Sequence, residues 1–294
     1  MISLEEFVGQ PLVTTRLSIA VKAARQQSRP LDHTLLFGPP GLGKTTLAQL
    51  MAKDLDKSMT QLLGPNVDKT SLIIALNRYQ LIFIDEIHRL QAATEEILYP
   101  VMQSQTLDMG SGIHKPLPNT TIIGATTLPG SLTAPLRDRF GIQLELVHYS
   151  HDAIKTILNA AHSSLRYQIY DKLAAVSRGT PRIALRLLRR LEDLALVSKQ
   201  PYEPSLVDQM LTLEGIDSQG LTSLDLKYLK SLAHGPRGLQ ALSALLGYSQ
   251  DDISTMIEPY LLQQGLVERQ SKGRELTQQG TTYLISSLLK EVPN

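Results

Sequence analysis

One glycine-rich turn constrains this chain more than any other stretch. Residues 35 to 46 read LLFGPPGLGKTT, placing Gly38, Gly43, Lys44 and Thr45 in the spacing G-x-x-x-x-G-K-T between an apolar run and a helical pattern. A triphosphate gives each position a task. Gly38, Gly41 and Gly43 let the backbone curl until successive N–H groups point inward and form a concave anion site. Lys44 brings a point charge to the β- and γ-phosphates, and Thr45 offers a hydroxyl to Mg²⁺. The helix that starts here aims its positive end at the phosphates. Gly41, Gly43, Lys44, Thr45 and Thr46 are therefore the expected nucleotide-binding set, with ATP and Mg²⁺ as ligands.

A chain of 294 residues is long for one core, so two or three domains are expected. No apolar run reaches the roughly 18 residues of a membrane span. The N-terminus MISLEEFVGQ lacks the basic-then-apolar layout of a signal peptide, so a cytoplasmic location with no membrane partner is expected. Zero cysteines exclude disulfides and thiolate metal sites, and the histidines are scattered, which argues against a structural zinc. A net charge of +1 gives no whole-chain signature of nucleic-acid binding, so any DNA contact must come from a local patch.

Along the chain, Pro11 to Gln27 reads as an amphipathic helix leading into the P-loop strand. After the P-loop helix come a weaker strand and helix. Residues 80 to 86, QLIFIDE, then read as a buried parallel strand with two acids at its carboxyl end. Alone, an Asp-Glu pair there is usually a helix cap. In an open α/β sheet, however, the carboxyl ends of the strands share one crevice, which would bring Asp85 to the Mg²⁺ side and Glu86 to the attacking water. A helix over 94 to 105 precedes a hairpin-like excursion at 106 to 118. Residues 120 to 127 then form another buried strand ending in Thr126 and Thr127, either of which could sense the γ-phosphate.

From Ser150 the strand signal stops, and helices are expected near 151 to 163, 166 to 177 and 181 to 199. The third starts at Thr180-Pro181 and carries Arg182 in its first turn, where a cation opposes the helix dipole. That local conflict points to a phosphate-facing role. Residues 214 to 220 look like a linker. Helices near 222 to 233, 238 to 246 and 250 to 264 follow, and then two short strands around a glycine turn at Gly273 describe a winged helix. Acids and bases balance over 218 to 294, but Arg269, Lys272 and Arg274 cluster at the wing, flanking a tip from which they should project toward a DNA backbone.

Taken together, EEFVGQ, LDHTLLFGPPGLGKTTLA, LIFIDEIHRL, EEILYP, IGATT, SLTAPLRDRFGI, RGTPRIALRLLRR and EPYLLQQGLVERQSKGR resemble the RuvB family of Holliday-junction branch-migration motors, AAA+ ATPases, nearly end to end. The resemblance implies an α/β parallel-sheet AAA+ P-loop domain over 1–149, a small all-α lid over 150–216 and a winged-helix DNA-binding domain over 217–294. It implies a homo-hexameric ring on double-stranded DNA, working with a RuvA-like junction-binding protein and a RuvC-like resolvase. It also implies Thr126 or Thr127 as sensor 1, with Thr127 preferred as the catalytic one. Arg139 would be the finger entering a neighbouring site, Arg182 sensor 2, and Tyr149 a nucleotide-lining residue. Arg269 and Arg274 match wing arginines that touch DNA.

Four departures stand out. The family's Arg-Pro before the first motif has no counterpart, which implies a lower nucleotide affinity. Leu128 replaces the arginine of a GATTR motif, Gln103-Ser104 replaces an acidic pair, and the excursion at 106 to 118, which binds the RuvA partner in the family, is shorter than usual. The competing function class is an ATP-gated assembly switch of the clamp-loader or origin-binding type. Clamp loaders often carry zinc ligands, and this chain has no cysteine. Origin binders lack the LRDRFG and RGTPRIA pairing.

Overall fold

The computed structural model describes residues 3–108, 113–117 and 119–291, and the middle of the excursion expected at 106 to 118 lies outside them. The chain divides into two compact units, the first comprising 1–161 and 179–185 and the second 162–178 and 186–294.

The first unit runs α1 (Pro11–Gln26), β1 (Thr34–Phe37), α2 (Lys44–Leu55), β2 (Met59–Leu63), α3 (Lys69–Arg78), β3 (Leu81–Asp85) and α4 (Ala92–Ser104). It continues with β4 (Thr106–Asp108), β5 (His114–Pro116), β6 (Thr121–Thr126), α5 (Ala134–Arg137), β7 (Ile142–Glu145) and α6 (His151–Ala161). Five strands form one parallel sheet in the order β2-β3-β6-β1-β7. The central strands are largely buried, with their polar residues confined to strand ends: Leu35, Ile82, Ile84 and Ile122 lie in a core with Leu72, Leu98, Val101 and Phe140. Register fixes the functional edge. Phe37 pairs with Thr126 and with Glu145, and Leu63 pairs with Asp85, so every strand delivers its carboxyl end to the same side. His33 braces the sheet from below, its Nδ1 accepting a hydrogen bond from the Ile122 N–H at 2.9 Å.

In the second unit come α7 (Tyr167–Val176), the greater part of α8 (Pro181–Ser198), α9 (Pro204–Leu213), α10 (Ser223–Ser231), α11 (Leu239–Leu246) and α12 (Gln250–Asp252). A π turn (Ile253–Ile257) leads into α13 (Glu258–Gln263), the antiparallel pair β8 (Val267–Gln270) and β9 (Gly273–Leu276), and α14 (Gln278–Glu291). Tyr228, Leu229, Leu242, Ile253, Leu261, Val267 and Leu284 form its winged-helix core. Arg178 ties the helical part to this core: it donates to Asp225 Oδ2 at 2.5 Å and stacks over the Tyr260 ring at 4.3 Å.

Three elements go beyond the sequence reading. The edge strand β7 shows inside-outside alternation over four residues only, too short to register as a period. Helix α9 starts at Pro204 and buries Leu206, Val207, Met210 and Leu211. Helix α14 closes the winged helix behind the wing. Just before Arg139 lies a short helix, α5, capped by Thr133.

Candidate functional site

Between β1 and α2 the P-loop bends through three left-handed glycines, Gly38 at φ 136°, Gly41 at φ 80° and Gly43 at φ 100°. Inside the curl Lys44 is 7% exposed, and its ammonium donates to the carbonyls of Gly38 at 2.7 Å and Pro39 at 3.0 Å. An ammonium has three donors, so one remains for an incoming oxygen among the described residues. Burial pulls the Lys44 pKa below its usual value, while the charges of Glu86 and Asp85 oppose that shift. Thr45 and Thr46 occupy the first turn of α2, Thr45 half-buried and Thr46 exposed.

Asp85 ends β3 at the same edge. Burial raises its pKa first and the Glu86 charge second, against Lys44 and Arg182, so the two acids and two bases share one field. The two threonines separate here. Glu86 Oε2 accepts from the Thr127 hydroxyl at 3.0 Å and from the Thr127 N–H at 3.3 Å. Thr126 Oγ1 instead lies 2.8 Å from His88 Nδ1 and accepts from the Leu128 N–H. His88 Nδ1 is also 3.3 Å from Glu86 Oε2. Sequence reasoning missed His88, although the DEIHRL run that carries it was in view.

Arg182 joins this group from the start of α8. Its N–H donates to the Gly41 carbonyl at 3.4 Å, and a Cβ on Gly41 would lie 3.0 Å from Arg182 Cβ and 2.9 Å from Thr180 Cγ2. Gly41 is thus required twice over, by its φ and by this close approach. Tyr149 closes the other side: its hydroxyl donates to the Leu42 carbonyl at 2.9 Å, and burial pushes its pKa up to about 12. Phe7 also reaches the loop, its Cζ 3.1 Å from where a Gly43 Cβ would sit.

Arg139 makes none of these contacts. Its guanidinium lies over the Tyr99 ring at 4.6 Å and donates to the Pro135 carbonyl at 2.6 Å and to Gln103 Oε1 at 3.4 Å. Gln103 stands where an acid was expected, so the half-buried arginine is held by neutral partners, and its buried Nε has no hydrogen-bond partner among the described residues.

The wing corrects two expectations. Gly273 is not the turn tip; Ser271 and Lys272 form the turn, and Gly273 opens β9 at φ 128°, where a Cβ would meet the Arg237 carbonyl at 2.3 Å. Nor do Arg269 and Arg274 project freely. They pair across the ladder, which puts both on one face, and both guanidiniums turn onto the buried carboxylate of Glu258. Lys272 is left exposed at the tip.

Comparison with known proteins accounts for nearly the whole chain. Three family models match in succession: the Holliday junction DNA helicase RuvB P-loop domain at residues 2–146, the RuvB AAA lid domain at 149–217 and the RuvB C-terminal winged helix domain at 218–285. The Holliday junction branch migration complex subunit RuvB of Oenococcus oeni is 42% identical over 301 residues, covering 96% of this chain and 89% of its own. That of Rickettsia africae is 42% identical over 294 residues, covering 93% and 86%. Among solved structures, the RuvB Holliday junction branch migration motor of Thermotoga maritima superimposes with a TM-score of 0.86 at 39% identity, over 99% of this chain and 98% of that one.

Proposed function

This chain belongs to the RuvB family, and from that premise we propose how its residues divide the work of an ATP-driven Holliday-junction branch-migration motor. It is an ATP hydrolase of the AAA+ class with a parallel-sheet P-loop domain, a helical lid and a winged helix. We assign ATP hydrolysis to residues 1–149, the lid to 150–216 and DNA contact to 217–294.

The observation that carries this reading is the convergence of Lys44, Asp85, the Glu86–Thr127 pair and Arg182 on one sheet edge. Lys44 and the loop N–H groups, with Gly41, Gly43 and Thr46 shaping the cradle, hold the phosphates, and the free ammonium donor takes a β- or γ-oxygen. Glu86 Oε2 is spent on Thr127, while Oε1 accepts from none of the described residues and is free to take the proton of an attacking water. Thr127 thereby fixes the base. Arg182 supplies charge to the phosphates from the lid helix, and Tyr149 shapes the pocket wall. Thr45 and Asp85 would be the protein oxygens that hold Mg²⁺, a hydroxyl and one carboxylate that suit this ion, and bound there it would supply charge neutralisation at the phosphates. Among the described residues no group of three or more His, Cys, Asp or Glu offers an all-protein cage instead.

Arg139 serves a neighbouring subunit's site, which requires a ring, a homo-hexamer by family resemblance. The wing that carries Arg269, Lys272 and Arg274 contacts duplex DNA without reading bases, as suits a motor that runs along any sequence. A RuvA-like protein recruits the ring to the junction, and a RuvC-like resolvase follows it. No helix among the described residues is long and apolar enough to cross a membrane, and we place the protein in the cytoplasm with its DNA.

The test is ATP turnover with and without duplex DNA, together with mass in solution. Turnover raised by DNA in a multimer supports the motor. Turnover indifferent to DNA in a monomer would favour the ATP-gated assembly switch.

A further inference from the structure

Glu258 is the first residue of α13, directly after the π turn, and its side chain is 0% exposed. Oε1 accepts from Arg274 Nε at 2.7 Å and from the Tyr228 hydroxyl at 2.9 Å. Oε2 accepts from Arg269 Nη2 at 2.7 Å, Arg269 Nε at 3.1 Å and Arg274 Nη2 at 3.4 Å. One buried carboxylate thus receives two guanidinium forks and a phenol. The two arginines are not equivalent. The Arg274 side chain is 18% exposed, and its backbone is pinned by a two-way exchange with Arg237 at 2.9 and 2.8 Å. The Arg269 side chain is 51% exposed and spends one edge of its fork on Glu258, leaving the Nη1 edge toward solvent.

We propose that Glu258 is the positioning residue of the wing, holding Arg269 with its free guanidinium edge outward as the phosphate anchor, while Arg274 braces the carboxylate from behind. This rests on the reading of the wing as the DNA contact. A guanidinium pinned along one edge loses little freedom when the other edge meets a phosphate, so the binding energy is not spent on ordering a long side chain. The arrangement also lowers the cost of placing two like charges on adjacent strands, since the carboxylate lies between them.

The sign of one substitution separates this from simple electrostatics. Glu258→Gln removes a negative charge beside DNA, so charge alone predicts tighter binding. The positioning role predicts weaker binding, by about tenfold, the order expected when a charge-assisted contact is misplaced. The measurement is fluorescence anisotropy of the full chain on two unrelated labelled duplexes over a salt series, for Glu258→Gln, Arg269→Ala and the double variant, with thermal melting of each. The expected result is that Glu258→Gln weakens both duplexes alike and that the double variant binds no worse than Arg269→Ala, because Glu258 acts through Arg269. If Glu258→Gln fails to fold, Glu258→Asp carries the test: it keeps the charge and withdraws the carboxylate by one methylene, and it should weaken binding where charge alone predicts no change. Arg269→Ala weakening with Glu258→Gln or Glu258→Asp binding as tightly as the parent, or additive losses, would overturn the positioning role alone. Unchanged affinity for Arg269→Ala would remove the wing reading and this proposal with it.

Discussion

Glu86 has a left-handed backbone, φ 49° and ψ 48°, in a residue that gains nothing intrinsically from that region. Such a conformation costs on the order of 1 kcal/mol and persists where surrounding contacts hold it. Here the contacts are the Thr127 hydroxyl and N–H, which fix the carboxylate at the end of β6. Glu86→Gln should therefore bind ATP as the parent does while losing turnover by at least about 100-fold, the usual contribution of a general base. Parental turnover in that variant would dismiss Glu86 as the base. Thr127→Val should lower kcat more than it changes KM for ATP, since it loosens the base and not the phosphate cradle, whereas Thr126→Val removes a contact to His88. A separate residue sets pH dependence. Burial depresses the His33 pKa below its ordinary 6.5, against the Met102 carbonyl and Asp32. The unfolded chain then binds the proton more readily, so stability should be full above pH 6.5 and fall as pH drops below it. Melting temperature against pH checks this, and a curve that stays flat from neutral to mildly acid pH would contradict it.

At the scale of elements, the P-loop, the Asp85 strand and the helix beginning at Pro181 were legible in the sequence because each joins a period to a punctuating residue. A four-residue edge strand such as β7 has no room for a period and exists because β1 offers it a partner. The same limit explains the wing. Spacing placed Arg269 and Arg274 on a hairpin, but only the register showed that they share a face, and no spacing rule announces that Glu258, at the start of the preceding helix α13, lies beneath it. The consequence is quantitative. Two free arginines would each release a counterion, whereas one exposed and one largely buried arginine give a smaller effect. Replacing both with alanine should lower the salt slope of log K by about one unit. DNA-independent ATP turnover should survive, because the P-loop belongs to the other compact unit. A slope lowered by about two would restore both arginines as phosphate contacts.

For the whole molecule, no contact among the described residues joins Arg139 to the site around Lys44; its half-buried side chain packs against Tyr99 and Gln103 of α4 and Pro135 of α5. The proposed finger in trans fits this placement, and such a finger adds on the order of 10³-fold or more to the rate. Arg139→Ala and Lys44→Ala should each be nearly inactive alone and recover activity when mixed, because some interfaces then join an intact finger to an intact P-loop. Co-assembled rings with no recovery would place Arg139's role within its own subunit. The central claim, that hydrolysis at one unit moves DNA held by the other, is tested most directly on a synthetic four-way junction with the RuvA-like partner supplied. The parental protein with ATP and Mg²⁺ should convert the junction into duplex products, and Glu86→Gln should bind the junction and convert none. A parental protein that hydrolyses ATP and binds the junction yet leaves it unmoved would contradict the account.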